Sequence, residues 1–315
     1  MKVMIKTILT KARRFKKRFD QINELVQRVE QLQRAVGRIE TRQSLPTKTD
    51  SKSLHDHEFT VYSQWGEDGI IQYLINSIEI PEKLFVEFGV QDYRESNTRF
   101  LLQNNNWSGL VMDSSPEFIE RIKNEPLYFR HNLRAECAFI DRDNINDLLE
   151  RNGIRGDIGL LSVDIDGMDY WVWEAITSIN PRIVICEYDS VLGYDRAVVT
   201  PYDKSFDRSK AHYSFLYGGS SIVALAILAR KKGYSLVGSN SNGVNAFFVR
   251  NDCIGSLRVL TPREAHMKGL FRNSHDREGN RTFLSAEESI KLIEDMPLYD
   301  IERDLTIKVR DLIHS

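Results

Sequence analysis

Three cysteines in 315 residues (Cys137, Cys186 and Cys253) are too few and too far apart for a disulfide framework. No pair has CxxC spacing, so no zinc site is indicated. Cys137 and Cys186 lie in apolar runs and read as buried thiols, which suits a reducing compartment. No stretch reaches the ~20 apolar residues needed to span a bilayer. The N-terminus lacks the uninterrupted apolar core and cleavage site of a signal peptide. These absences point to the cytoplasm. Surplus charge is missing too. With 43 Lys and Arg against 45 Asp and Glu, the net charge is −2, and no whole-chain field favours nucleic acid.

The first segment, Met1 to about Gln43, reads as one long helix. Ile22, Leu25, Val29, Leu32, Val36 and Ile39 follow a 3-4-3-4-3 spacing, the a/d seam of a coiled coil, which implies a homo-oligomer. Upstream, Ile8 and Phe15 keep the a register while Lys11 and Arg18 occupy d. Lys2, Lys6, Lys11, Arg13, Arg14, Lys16, Lys17 and Arg18 make the first turns basic, beside Met1, Val3, Met4, Ile5, Ile8 and Leu9. Two readings stand: peripheral contact with the inner face of an anionic membrane, or the solvated end of a coiled coil. Residues 44–57 are polar, contain Pro46 and read as a linker. A globular domain over 58–252 follows, then a helical extension over 253–315 to which no role is assigned.

Within the domain, strand and helix alternate. Leu84–Phe88, Gly109–Asp113, Ala135–Ile140, Gly159–Asp164 and Arg182–Glu187 are strand-like, and their central runs are continuously apolar. This βαβα order predicts a parallel sheet covered on both sides. The end differs. Ser220–Lys232 is helical, and Gly233–Gly238 and Val244–Val249 follow with only a turn-rich loop between them. The last two strands should therefore form an antiparallel hairpin. A doubly wound sheet closed this way is the arrangement of the Rossmann-like class I methyltransferases.

Ligands of open α/β sheets bind beyond the carboxyl ends of the strands. The first strand delivers Glu87-x-Gly89-x-x-Asp92, and Asp113 ends the second, where an acid can accept both hydroxyls of a ribose or instead cap the next helix. The dinucleotide fingerprint GxGxxG is absent: Val90 and Gln91 replace small residues, and Asp92 would repel a pyrophosphate. S-adenosylmethionine (SAM) carries cations and no phosphate, and suits an acidic loop. Further along the edge stand Asp164, Asp166 and Glu187, followed by Asp189. Asp164, Asp166 and Glu187 could ligate Mg²⁺ or Mn²⁺, and Asp164 is also a candidate to contact the cofactor. Alternatively Asp166, Glu187 or His212 serves as a metal-free base, or the acids cap helices. His212 belongs to a long aromatic insertion over 191–219, of the kind that forms lids. Ser63 and Gln64 could bond the methionine carboxylate from above; Ser63 could equally cap a helix.

Several segments resemble FkbM-like SAM-dependent methyltransferases: Ser63-Gln-Trp-Gly-Glu-Asp68, Phe85-Val-Glu-Phe-Gly89, Glu95-Ser-Asn97-Thr, Trp107–Asp113 and Leu161-Ser-Val-Asp-Ile-Asp-Gly167. Tyr217-Gly-Gly-Ser-Ser and Gly233–Val249 resemble a branch from bacterial surface-glycan clusters. The resemblance covers about 60–250. It implies Glu87, Gly89 and Asn97 around the methionine of SAM, Asp113 with Ser114 beside it at the ribose, and Ala135 to Asp141 at the adenine. It also implies O-methylation of a sugar in a surface polysaccharide or its lipid-linked precursor. Gln91-Asp92-Tyr93 departs from the further glycines of many methyltransferases. Two other classes compete: a non-catalytic scaffold that binds a nucleotide-like ligand and assembles through the coiled coil, and an NAD(P)-dependent sugar enzyme, which the loop disfavours.

Overall fold

The computed structural model describes residues 2–44, 53–269 and 271–312, with side chains from residue 11 onward except those of 12, 13 and 44. Most of the expected linker (45–52) and the side chains of the first basic turns lie outside the described residues. Helix α1 (Lys2–Ser44) has the expected extent. Its last turns pack on α2 (Glu67–Ser77) and α3 (Arg99–Asn104). Gly37 makes this docking possible. A Cβ there would stand 2.5 Å from Val61 and 2.9 Å from Phe100, so only the bare backbone fits. Arg34 donates to Gln103 at 2.8 Å beside it. The heptad residues Ile22 to Ile39 face elsewhere and stay 47–66% exposed.

The linker ends sooner than its composition suggests. Leu54–His57 form a 3₁₀ turn with both end residues buried. Leu54 fills the space where Gly238 lacks a side chain, and His57 stacks on Tyr73 at 3.8 Å. One apolar residue and one aromatic ring therefore attach this stretch to the domain.

The core alternates as expected. Strand β1 (Leu84–Phe88) precedes α3, and β2 (Ser108–Asp113) leads to α4 (Pro116–Asn124) and α5 (Pro126–Arg130). Next come β3 (Leu133–Cys137), α6 (Ile145–Arg151), β4 (Gly156–Val163), α7 (Asp169–Ala175) and β5 (Ile179–Glu187). An insertion with β6 (Val198–Val199) and α8 (Arg208–Ala211) leads to α9 (Ile222–Lys231), β7 (Tyr234–Ser239) and β8 (Asn245–Arg250). The seven-stranded sheet has the order β3-β2-β1-β4-β5-β8-β7. β1 to β5 run parallel, and β8 enters antiparallel between β5 and β7. This is the Rossmann-like order with a terminal antiparallel hairpin. The strands are added in one direction from β1 to β3 and in the other from β4 onward, and this switch between β1 and β4 opens a crevice at their carboxyl ends.

Continuous apolar strands are needed because there are two cores. Alternate side chains point to opposite faces. Val86, Phe88, Leu110, Met112, Leu161 and Val163 pack on one side with Trp173. Phe85, Val111, Leu160, Ile183 and Ile185 pack on the other with Ile70 and Phe247. Polar anchors fix the rest. Asp68 accepts from the backbone N–H of Val61, Tyr62 and Ser63 at 2.6–2.8 Å, which folds the segment before α2 into a tight turn.

The tail is not a helical extension. It holds two short helices, α10 (Pro262–Ala265) and α11 (Ala286–Leu292), and two hairpins: β9 (Ser274–His275) with β10 (Arg281–Thr282), and β11 (Pro297–Asp300) with β12 (Leu305–Lys308). Its polar residues are the outward half of strands and turns, and helical periodicity is therefore missing. β11 also pairs with β6 of the insertion. Leu192, Val198, Leu216 and Tyr217 from the insertion bury against Ile293, Leu298 and Val309 from the tail. Insertion and tail thus form one cap, rather than a lid and a separate extension. Cys137 proves exposed, because it ends the edge strand; Cys186 is buried and Cys253 half-buried, all free thiols. Among the described residues no helix is long and apolar enough to cross a membrane.

Leu298 is 1% exposed at the centre of the cap. Leu298→Ala should cost about 2–5 kcal/mol there. Limited proteolysis should then cut within 190–221 sooner while the sheet stays intact; an unchanged cleavage pattern would show that tail and insertion do not support each other.

Candidate functional site

A cavity of about 990 Å³ opens at the carboxyl ends of the strands. That is near the upper end of the ~300–1,000 Å³ usual for ligand sites, with room for a cofactor and an acceptor together. Its floor is the strand edge. Gly89 follows β1 with φ +71°, and a Cβ there would lie 1.7 Å from the Asp164 carbonyl oxygen. The β1 loop and the end of β4 therefore touch through backbone alone, and only glycine permits the contact. Gln91 (φ +49°) and Tyr93 (φ +62°) continue the tight loop. Its curl aims Gln91 N–H at Asp113, 2.8 Å from one carboxylate oxygen; Ser115 N–H donates to the other at 2.8 Å. A carboxylate has about four acceptor positions, so Asp113 keeps about two for a diol. Burial pushes its pKa up, and the two N–H bonds oppose the shift. Met112, Phe118, Ala138, Phe139 and Ile140 line the neighbouring wall, an apolar slot suited to a flat ring.

Of the residues expected at the cofactor, Gln64, Gly89, Asp113, Ser114, Asp141 and Asp164 line this cavity. Glu87, Asn97 and Ser63 do not. Glu87 accepts from Asn97 N–H at 2.8 Å and from Thr98 N–H at 3.2 Å and Thr98 Oγ1 at 2.5 Å, so it secures the start of α3. Burial raises its pKa to about 7 against those bonds. Asn97 donates to Ser162 behind the sheet edge. Ser63 Oγ accepts from Asp68 N–H at 2.9 Å in the first turn of α2, while Gly66 takes the N-cap position. Asp141 accepts from Asp143 and Asn144 N–H and also meets Lys204 Nζ at 3.2 Å.

The acids beyond β4 and β5 regroup. One oxygen each from Asp164, Asp169 and Glu187 lies within 4.8 Å of the others. Asp169 replaces the expected Asp166 in this trio. Asp166 adopts a left-handed turn (φ +59°), which swings its side chain outward to 77% exposure. Asp169 is already engaged by the N–H groups of Ile165 and Gly167 at 2.8 and 3.0 Å. His212 does not line the cavity; its Nδ1 is paired with Ser214 Oγ at 2.7 Å. Burial and the charge of Arg277 hold its pKa low.

Arg208 had no sequence signal. It stands 3.8 Å from Glu187 and 3.5 Å from Asp166, fixed by an Nε–H bond to the Phe215 carbonyl. It is the cation that faces the acids from the cap. Burial pushes Glu187 up to about 8; Arg208 opposes this, and Asp169, Asp166 and Asp189 add to it. Asp164 is driven well above the usual carboxylate range by burial and by Glu187. Near neutrality the cluster therefore holds protons and can take up or release one at mild pH.

No protein-family model matches this chain, and no curated protein does. Among solved structures, it is similar to PKMT2 from Rickettsia typhi in complex with AdoHcy, at TM-score 0.39 and 12% identity over 61% of this chain. The chain spans about half of that protein, 54%. An S-adenosylmethionine-dependent methyltransferase from Clostridium acetobutylicum ATCC 824 gives TM-score 0.36 and 11% identity over 58% of this chain and 90% of that one. The N-terminal domain of EvdMO1, in the presence of SAH and D-fucose, gives 0.37 and 10% over 66% and 84%. At these values the fold assignment rests on the strand order itself.

Removing Arg208 takes away the charge that favours ionised Glu187. In Arg208→Gln the Glu187 carboxyl should titrate at higher pH than its about 8 in the wild type. Arg208→Lys should keep the titration near its original position. NMR of ¹³C-carboxyl-labelled glutamate, with the signal assigned by its loss in Glu187→Gln, reads this. An unmoved titration would remove Arg208 from the site's electrostatics.

Proposed function

We propose that the chain is a SAM-dependent methyltransferase that methylates a sugar hydroxyl of a surface polysaccharide or its lipid-linked precursor. Asp113 carries the reading: a partly buried carboxylate with free acceptor positions, at the end of β2 and beside an apolar slot. The FkbM-like motifs that meet at this edge support it. The residues present fit SAM. Asp113 would take the ribose hydroxyls, the wall from Ala138 to Asp141 the adenine, and Gly89 and Gln64 the methionine end. The cofactor supplies a sulfonium-activated methyl group. This chain's residues must orient the acceptor and receive its proton. Glu187, raised to about 8, takes that proton in its ionised form, which Arg208 stabilises. Phe206, Phe215 and Tyr202 offer ring faces to the sugar from the cap.

The Asp164–Asp169–Glu187 cluster favours a second reading, a divalent metal such as Mg²⁺ or Mn²⁺ bound by hard oxygens. Arg208 weighs against it, since a guanidinium already faces these acids and two of Asp169's acceptor positions are spent on N–H groups. Activity that survives EDTA, with no gain from added Mn²⁺, is the expected result.

Calorimetry with S-adenosylhomocysteine should show binding that weakens roughly tenfold to a hundredfold in Asp113→Ala, the loss of hydrogen bonds to a charged group. A folded wild type that does not bind ends the reading. Mass spectrometry of surface glycan separates it from a non-catalytic scaffold: methylation that persists in Asp164→Ala/Glu187→Ala favours the scaffold.

The coiled-coil reading extends to a second copy of this chain. Glu30, Arg34, Gly37 and Thr41 occupy one seam of α1 against the domain, while Leu25, Val29, Leu32, Val36 and Ile39 present a second seam to solvent. An identical helix supplies the matching seam. The basic start of α1 would then bring the oligomer to anionic lipid. Light scattering should find an oligomer for the full chain and a monomer for Leu25→Asp/Leu32→Asp. A monomeric wild type would refute the pairing.

A further inference from the structure

The cavity is divided by charge. Asp113, Asp141, Asp164 and Glu187 make its floor acidic, while Lys204, Arg208, Arg272 and Arg281 line it from the cap. Two of these cations are engaged. Lys204 meets Asp141 and Asp143 at 3.2 and 3.5 Å, and Arg208 balances Asp166 and Glu187.

Arg272 and Arg281 differ. Neither forms an ion pair among the described residues, although the chain has more acids than bases. The hairpin's own Asp276 spends its carboxylate on the N–H of Glu278 and on the N–H and Nδ2 of Asn280. Both residues are exposed at the cavity, so each guanidinium is open to an anion that enters it. The cofactor's one anionic group, its methionine carboxylate, is assigned above to the Gln64 end and would satisfy at most one guanidinium.

We infer that Arg272 and Arg281 hold a diphosphate attached to the acceptor sugar. The acceptor then enters with its hydroxyl toward Glu187 and its anionic end toward the tail. This deepens the methyl-transfer reading and rests on it for the identity of the acceptor. Each guanidinium presents a planar fork that matches two phosphoryl oxygens, and two forks suit two phosphoryl groups; one carboxylate would satisfy only one. Two sources share this group, a nucleoside diphosphate sugar and a polyisoprenyl diphosphate sugar. Specificity would then reside in the tail, outside the sheet that binds the cofactor.

Inorganic pyrophosphate is the probe, titrated by calorimetry into the full chain saturated with S-adenosylhomocysteine. Binding is expected, weakening at least tenfold in Arg272→Gln/Arg281→Gln and falling as salt rises. Arg272→Lys/Arg281→Lys should retain part of it. No binding to the wild type, or equal binding to the Gln double variant, overturns the inference. S-adenosylhomocysteine affinity, measured on the same samples, should stay within twofold. Its absence in a wild type that still binds pyrophosphate through these arginines would sink the methyl-transfer reading alone. Uridine diphosphate and farnesyl diphosphate then identify the source, since the one that binds more tightly than pyrophosphate carries the matching second half.

Discussion

Carboxylates gathered in a half-buried space have to be neutralised, and in this protein the compensating charge arrives from the opposite wall. Asp164, Asp169 and Glu187 meet where β4 and β5 end, and Arg208 descends toward them from the insertion. That arrangement requires the insertion to be held in place. The tail holds it, through the β6–β11 pairing, the small shared core and the buried Arg196–Asp300 ion pair at 2.9 Å. The proton chemistry of the floor and the packing of the roof are thus one problem, solved together.

The sheet was legible because its signals are repetitive. Continuous apolar strands, helices between them and a final strand–turn–strand left one topology. The residues that close each strand, Gly89, Asp113 and Asp164, were legible for the same reason: a strand end fixes where its last side chain lies.

Other positions depended on partners distant in the chain. Glu87 shares the edge with Gly89, but the donors that occupy it come from residues 97 and 98. Asp166 and Asp169 are equivalent to any pattern of residue types; the left-handed turn at Asp166 decides between them. Histidine suits proton transfer, yet His212 is already engaged by Ser214, two residues on. Arg208 stood among aromatic and polar residues with no period, and only the folded insertion shows what it faces. The tail misled because a short two-stranded hairpin with one buried face leaves too few apolar residues to reveal its periodicity.

The cap also sets an order of events. β6 lies at Val198–Val199, and its partner β11 lies at Pro297–Asp300. A ribosome emits the whole sheet, and with it the floor of the cavity, well before the strand that secures the roof. The closing of that long loop is slow relative to the local pairings of the sheet. The floor of the cavity can therefore form while its top is still open, and the roof is secured only once β11 reaches β6.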